Sequence, residues 1–311
     1  MPTAGKLPLP LLLAGPTAVG KSEVALLLAE RLRGEIISVD SMQVYRGLDI
    51  GTAKPSPAER RRVPHHLIDV VELTAPFDAA KFIELAHRAA GAIQARGRRP
   101  ILCGGTGLYF TAFLEGLGVA PPADAALTAE LEKIPLPDLL RELAGRDPAT
   151  YATIDRQNPR RVLRALGVIR QTGRPFSAQR AAWASRPASR DAPTGPSVIT
   201  LSRASTDLRA RIDARVDAMF ALGLVEETRK LLARGLAENR TALQAIGYRQ
   251  VVERLRGERP LATTIELVKV RTRQFARRQM MWFRRRLPVE WIEVQPGEEA
   301  AAIAARVELV L

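Results

Sequence analysis

The chain has 311 residues, enough for one large domain or for a core that carries a smaller insert, and its 46% hydrophobic and 26% charged residues are ordinary for a folded globular protein. One cysteine, Cys103, excludes a disulfide framework and a cysteine-rich metal site and suits a reducing, cytoplasmic setting. No run of about 18 apolar residues is present, so no membrane span is expected, and Leu7–Ala14, broken by Pro8 and Pro10, is too short for the core of a secretory signal.

In chain order, Leu7–Ala14 reads as a buried strand. Glu23–Arg33 reads as a helix with Val24, Leu27, Leu28 and Leu32 at helical spacing, stopped by Gly34. Glu35–Val39 is a second strand, Asp78–Arg96 a helix, and Pro100–Cys103 a third strand running into Gly104-Gly105-Thr106-Gly107. Strands alternating with helices predict a parallel sheet covered on both faces, whose carboxyl edge is where such sheets place ligands. The pattern changes after Gly118. Ala120–Asp124 reads as a boundary, and short helical stretches follow, among them Arg160–Arg170 with Asn158 as cap and Pro159 in the first turn. Ser185–Pro196 reads as a linker, Val198–Leu201 as a strand, and Thr206–Leu222, Val225–Arg234, Gln250–Leu255 and Thr264–Arg285 as helices. The organisation expected is an α/β core from residues 1–118 and 197–311, with a mostly helical insert at 119–196.

The net charge of +14 is concentrated rather than spread. Nine arginines and no acid lie between Arg156 and Arg190, and seven arginines and no acid between Arg271 and Arg286. One such segment is compatible with a solvated helix face. Two, built from planar forks suited to phosphate, point to a polyanion such as nucleic acid. Glutamine and threonine among the apolar residues of the second segment argue against a membrane surface.

Gly15-Pro16-Thr17-Ala18-Val19-Gly20-Lys21-Ser22 fits the phosphate-loop pattern, with a strand before it and a helix after it. The glycines let backbone amides turn toward phosphate oxygens, Lys21 adds a charge, and the Ser22 hydroxyl is placed to hold Mg²⁺. No apolar run ending in Asp-Glu follows; Leu67-Ile68-Asp69 is the nearest Walker B substitute. The bound anion is therefore a triphosphate or the diphosphate of another substrate. Asp40 ends the second strand beside the loop, where a carboxylate serves as general base, assists a metal, or caps a helix. Ser41, Gln43 and Tyr45 offer donors, acceptors and a stacking surface suited to a nucleobase. His65 and His66 read as structural or substrate-contacting rather than as zinc ligands, because adjacent side chains diverge. Cys103 reads as packing at a strand end, and Met280–Phe283 as a packing face.

Asp40-Ser41-Met42-Gln43-Val44-Tyr45 followed by Asp49-Ile50-Gly51-Thr52-Ala53-Lys54-Pro55, downstream of the phosphate loop, resembles the bacterial tRNA dimethylallyltransferase (tRNA isopentenyltransferase) family. The likeness runs on through His65–Asp69, Gly104–Tyr109, Gln157–Leu166, Arg211–Met219, Gln244–Gln250 and Thr272–Arg285. It implies a P-loop-like α/β fold and transfer of a dimethylallyl group from dimethylallyl diphosphate to the exocyclic amine of the adenosine just 3′ of the anticodon (tRNA position 37), in tRNAs reading codons that start with U. It further implies Asp40, Thr17 and Arg211 as catalytic, with Arg215 as the alternative to Arg211, and Gly15–Ser22 as the diphosphate cradle with Mg²⁺ on Ser22. Contacts to the tRNA anticodon stem-loop are implied for Asp40, Ser41, Met42, Gln43, Thr106, Pro159, Arg160, Arg161, Val162 and Leu163. The enzyme would be cytoplasmic and monomeric, without a stable protein partner; whether ATP binds the loop stays open. Where the family usually carries an arginine after the Pro122–Asp124 segment, this chain has Leu127-Thr128. A P-loop kinase of a nucleotide or small metabolite is the other reading, but it leaves the two arginine segments unexplained.

Overall fold

The computed structural model describes residues 8–181 and 198–311. The chain builds β1 (Leu11–Ala14), α1 (Lys21–Arg31), β2 (Gly34–Val39), α2 (Pro57–Arg62), β3 (His65–His66), α3 (Ala79–Ala95), β4 (Arg99–Gly104) and α4 (Gly107–Glu115). After an insert it continues with β5 (Val198–Ser202), α9 (Ser205–Ala221), α10 (Leu224–Leu232), α11 (Tyr248–Leu255), α12 (Leu261–Arg286), β6 (Val289–Glu293) and α13 (Ala300–Glu308). The six strands form one sheet in the order β3-β2-β4-β1-β5-β6, and every pairing is parallel. This is the expected α/β architecture.

Side-chain alternation sorts the strands into two cores. Leu11, Leu13, Ile36, Ile101 and Ile199 pack with Val24, Leu28 and Ile303 of α1 and α13 on one face. Leu12, Ile37, Val39 and Leu102 pack with Phe82, Ile93 and Phe110 of α3 and α4 on the other. Each fully buried Leu, Ile or Phe contributes about 1.5–3 kcal/mol. The central strands β1 and β4, covered on both sides, are therefore the rigid platform from which the carboxyl-edge loops project.

The structure corrects several boundaries. Gly34 does not stop α1; it begins β2, and Arg33 makes the left-handed turn at φ 53. β3 has only two residues and β6 buries little beyond Ile292, so neither carries a legible strand pattern. Trp291 of β6 is over a third exposed. In the Met280–Phe283 face only Phe283 is core; Met281 is 41% exposed, and Trp282 donates from Nε1 to Thr111 Oγ1 at 3.3 Å.

A second compact unit begins at Glu115. It holds α5 (Ala125–Leu131), α6 (Leu136–Arg146), α7 (Pro148–Thr153) and α8 (Pro159–Thr172). Its own core is Leu131, Leu139, Leu143, Val162, Ala165, Leu166 and Ile169. Buried Asp147 caps α7 through Thr150 N and also accepts from Thr150 Oγ1 and from Ser177 N and Oγ, at 2.7–3.0 Å. Burial raises this carboxyl, and the four hydrogen bonds outweigh it and hold it below its ordinary value. Asn158 occupies the cap position of α8 but makes no side-chain cap bond. The linker expected at Ser185–Pro196 lies outside the described residues.

Candidate active site

Gly20 takes φ +105 immediately before α1, a conformation that suits glycine, and no side chain caps the helix. The first-turn amides of α1 are thus open to an anion at the positive end of the helix. From the other side, Arg211 Nε donates to Ala18 O at 3.0 Å and Arg203 Nε to Val19 O at 2.8 Å, so arginines hold the loop carbonyls. Ala18 itself is left-handed at φ 65. Lys21 Nζ donates to Pro16 O at 3.2 Å. Burial lowers the Lys21 ammonium from its usual value; Cys103 and Asp40 push it back up and Arg215 pulls it down. Burial likewise pushes the Cys103 thiol up to about 11, so it is a neutral packing group.

Asp40 follows β2 at the carboxyl edge. Its Oδ1 accepts from Met42 N at 2.8 Å and Gln43 N at 3.2 Å, closing the turn, while Oδ2 has no protein partner among the described residues. No helix starts at Asp40, so the helix-cap reading gives way to a loop turn closed by Oδ1, which leaves Oδ2 available for chemistry. Thr106 N donates to Val39 O at 3.2 Å, which sets Thr106 beside Asp40. The loop after Asp40 is tied from within. Gln43 Oε1 accepts from Ser38 Oγ at 2.8 Å and its Nε2 donates to Thr52 O and Ala53 O, so its amide is engaged in joining the two sequence motifs. Buried Lys54 donates to Tyr45 O at 2.9 Å and to the carboxylates of Asp49 and Asp69 at 2.6 Å. Tyr248 OH donates to Glu227 Oε1 at 2.5 Å and accepts from Gly51 N at 3.0 Å, while Ile50 N donates to Glu227. A Cβ on Gly51 would lie 2.5 Å from the Tyr248 ring, so only glycine fits this approach.

These elements enclose a cavity of about 290 Å³. Its polar lining is Thr17, Asp40, Ser41, Thr106, Arg215 and Arg278, and its apolar lining is Met42, Val216, Met219, Ala245, Ile246, Val268 and Phe275. Arg211, Arg215 and Met219 recur at four-residue spacing on α9 and so share a face. Arg211 is anchored on the loop backbone, whereas Arg215 lines the cavity and forms no ion pair among the described residues. Burial and then Arg211 lower the Arg215 guanidinium from its usual value, though a guanidinium stays charged in proteins.

Several sequence expectations change. Tyr45 is fully buried in the core and offers no stacking surface. Asp69 does not serve as a Walker B acid: its carboxylate is held by Lys54 and Arg60. His65 and His66 form the short β3, with His65 Nδ1 bonded to Val63 O and His66 Nε2 to Glu35. In the helical unit Pro159, Arg160 and Arg161 are exposed, but Val162 is fully buried and Leu163 packs against the same core. Those two side chains face the hydrophobic stripe of α8, which corrects the expectation that they meet RNA. Thr128 Oγ1 donates to Asp124 O at 2.6 Å, inside its own helix. The sequence did not single out Gln244–Ile246, Thr272, Phe275 and Arg278 as cavity residues; they come from elements distant in sequence that only the fold assembles.

A phosphate loop on a parallel sheet, a carboxylate oxygen and arginines without protein partners of opposite charge among the described residues, and a cavity with a largely apolar lining are the equipment of a group-transfer enzyme acting on an apolar phosphoester or diphosphate. The IPP transferase family model matches residues 43–286, and the chain belongs to that family. A tRNA dimethylallyltransferase of Geobacter metallireducens is 48% identical over 91% of this chain and 92% of its own length. One of Anaeromyxobacter is 45% identical over 96% of this chain and 98% of its own length. Among solved structures, a Bacillus halodurans tRNA isopentenylpyrophosphate transferase superposes with a TM-score of 0.71 at 37% identity, over 98% of this chain and 96% of its own. A eukaryotic dimethylallyltransferase described as acting on tRNA gives a TM-score of 0.78 at 25% identity, over 97% of this chain and 78% of its own.

Proposed function

We propose that this chain transfers a dimethylallyl group from dimethylallyl diphosphate to the exocyclic amine of adenosine in tRNA, at position 37. The observation that carries the reading is the mixed lining of the cavity, which brings Asp40, with its free Oδ2, together with Thr17 of the phosphate loop, Arg215 and the apolar groups Met42, Val216 and Ile246. The amine nitrogen bonds to the allylic carbon as the carbon–oxygen bond to diphosphate breaks. The bond's electron pair leaves with the diphosphate, whose charge is received by Lys21, Arg211, Arg215 and the amides opening α1. The amine proton passes to Asp40 Oδ2. Met42, Val216 and Ile246 offer the prenyl chain an apolar surface that excludes water.

The target base must leave its stack to reach an enclosed site. Ser41 and Thr106 are at hand for it, and the exposed arginines of α12 and Arg160 and Arg161 of α8 offer contacts to the anticodon stem-loop phosphates. Mg²⁺ is the implied cofactor. No group of three or more acidic, histidine or cysteine side chains forms a cage among the described residues. Such an ion would be held by one hydroxyl and by phosphate oxygens: Ser22 stands at the exposed start of α1. When bound, it supplies charge neutralisation to the leaving diphosphate. No helix among the described residues is long and apolar enough to cross a membrane, and the proposed site of action is the cytoplasm, with its unmodified tRNA.

The test is a transfer assay with Mg²⁺, labelled dimethylallyl diphosphate and unmodified tRNA bearing adenosine at position 37. Label in the tRNA is expected. No label, on tRNA that a known transferase modifies, would overturn the reading.

A further inference from the structure

Gln279 lies on α12 and is only 6% exposed, in the middle of an arginine-rich stretch in which Arg271, Arg277, Arg278 and Arg284 are exposed. Its amide instead bridges two loops that the sheet brings together. The Thr17 backbone N donates to Gln279 Oε1 at 2.9 Å, and Gln279 Nε2 donates to Gly105 O at 2.9 Å. The orientation is unique: Thr17 N requires an acceptor and Gly105 O a donor, and only an amide of this length supplies both. Buried polar groups left without these partners would each carry a desolvation cost.

We propose that Gln279 is a positioning residue for the prenyl-transfer reaction: it fixes the phosphate loop at Thr17 against the β4 loop, and thereby sets the cradle that receives the diphosphate. The proposal rests on the transferase reading above. Thr17 is the second residue after the loop's first glycine and lines the cavity, so its backbone position determines where its hydroxyl and the following amides point. With the Thr17 amide held by Gln279, the diphosphate is received by the remaining loop amides, Lys21 and the α9 arginines. Gln279 does not line the cavity and is not a catalytic residue; displacements near 1 Å in such supports cost up to about a hundredfold in rate.

Two independent changes disturb the same bridge. Gln279→Met keeps the length and removes both hydrogen bonds. Gly105→Ala leaves the glutamine in place but sets a Cβ 2.2 Å from its Nε2, at the flexible end of the side chain, which must swing away. Wild type must first transfer label to tRNA; if it does not, the function is wrong and the positioning role is not what has failed. Given transfer, each variant is expected to lower kcat/KM for dimethylallyl diphosphate about tenfold. The Kd for tRNA should stay within twofold in the absence of the prenyl donor, and the thermal transition should fall by only about a few degrees as buried groups lose their partners. The double variant should be no worse than the poorer single one, because both act through one bridge. Loss of tRNA affinity with an unchanged donor kcat/KM would overturn the proposal, assigning Gln279 to RNA instead. Multiplying losses in the double variant, or unaltered donor kinetics in both singles, would overturn it as well. If Gln279→Met does not fold, Gly105→Ala alone decides, by the split between donor kcat/KM and tRNA Kd.

Discussion

At the amino edge of the sheet, Glu35 of β2 is 3% exposed and ringed by basic side chains: Arg96 at 2.7 Å, His66 at 2.7 Å and Arg98 at 3.5 Å. At the carboxyl edge the balance is reversed. Lys21, Arg211 and Arg215 gather around the phosphate loop with Asp40 as the nearby carboxylate, and none of the three forms an ion pair among the described residues. The same sheet thus holds one closed electrostatic cluster and one open one. A buried charge without a partner is costly, so an open cationic cluster marks where the partner is a ligand. The amino edge serves the fold and the carboxyl edge serves the anion.

The largest break in this contrast comes from the acid at the open edge. Asp40→Asn keeps an acceptor for Met42 N and Gln43 N, so the turn persists, but it cannot take a proton. Single-turnover transfer should fall about 10²–10⁴-fold with tRNA affinity within threefold. Transfer within threefold of wild type would exclude Asp40 as the base. Next is Arg215→Met, expected to lower donor kcat/KM roughly a hundredfold because the leaving charge is less well stabilised. Arg211→Met is expected to cost less, because Arg211 already donates to Ala18 O. The reverse ranking in side-by-side kinetics would make Arg211 the principal diphosphate ligand.

The two edges also differed in how far the sequence disclosed them. The phosphate loop and Asp40 were legible because their chemistry lies in contiguous residues after a strand. Arg211 and Arg215 entered only through family resemblance. Their placement over the loop depends on α9 packing against α12 and on Ile212 and Val216 clustering with Ala18, which no local pattern encodes. Tyr45 and Gln43 were read as surface groups because residue type alone does not tell an exposed donor from an internally satisfied one. The closed cluster was not foreseen at all. Glu35 sits in an apolar strand, and its partners come from β3 and from the turn before β4. The α/β class followed from the alternating elements, whereas two-residue β3 and weakly patterned β6 lacked the periodicity that would have shown them.

The closed edge should respond in stability rather than in rate. Glu35→Gln leaves Arg96 and Arg98 without their carboxylate and should lower stability by about 1–3 kcal/mol, with transfer kinetics unchanged. Burial raises this carboxyl, but hydrogen bonds and charge from Arg96 and His66 outweigh it and hold it below its ordinary value of 4.5. A depressed folded-state value means the contribution is full above about pH 4.5 and is lost as pH falls toward the folded value. The wild-type advantage in thermal melts should therefore shrink below that pH. A gap between the two proteins that stays constant from pH 7 to pH 3 would show that the ion cluster is not its source.

The finest version of the contrast is between single arginines. Arg170 of α8 grips Glu142 through Nε at 3.0 Å and Nη2 at 2.6 Å, whereas Arg285 of α12 is exposed and forms no ion pair among the described residues. Both belong to the segments that give the chain its charge excess, but only the second has a guanidinium free for phosphate. Arg285→Gln should weaken tRNA binding several-fold at low salt and reduce the slope of log K against log salt by about 0.7–0.9, the share of a single neutralised phosphate. Arg170→Gln should leave that slope unchanged and cost stability instead, since it breaks the two-pronged pair and leaves Glu142 with Arg146 alone. Equal slopes for the two variants would mean that pairing within the protein does not decide which arginines meet RNA. The charge excess would then act as a diffuse field, in which a cation's place matters less than the total.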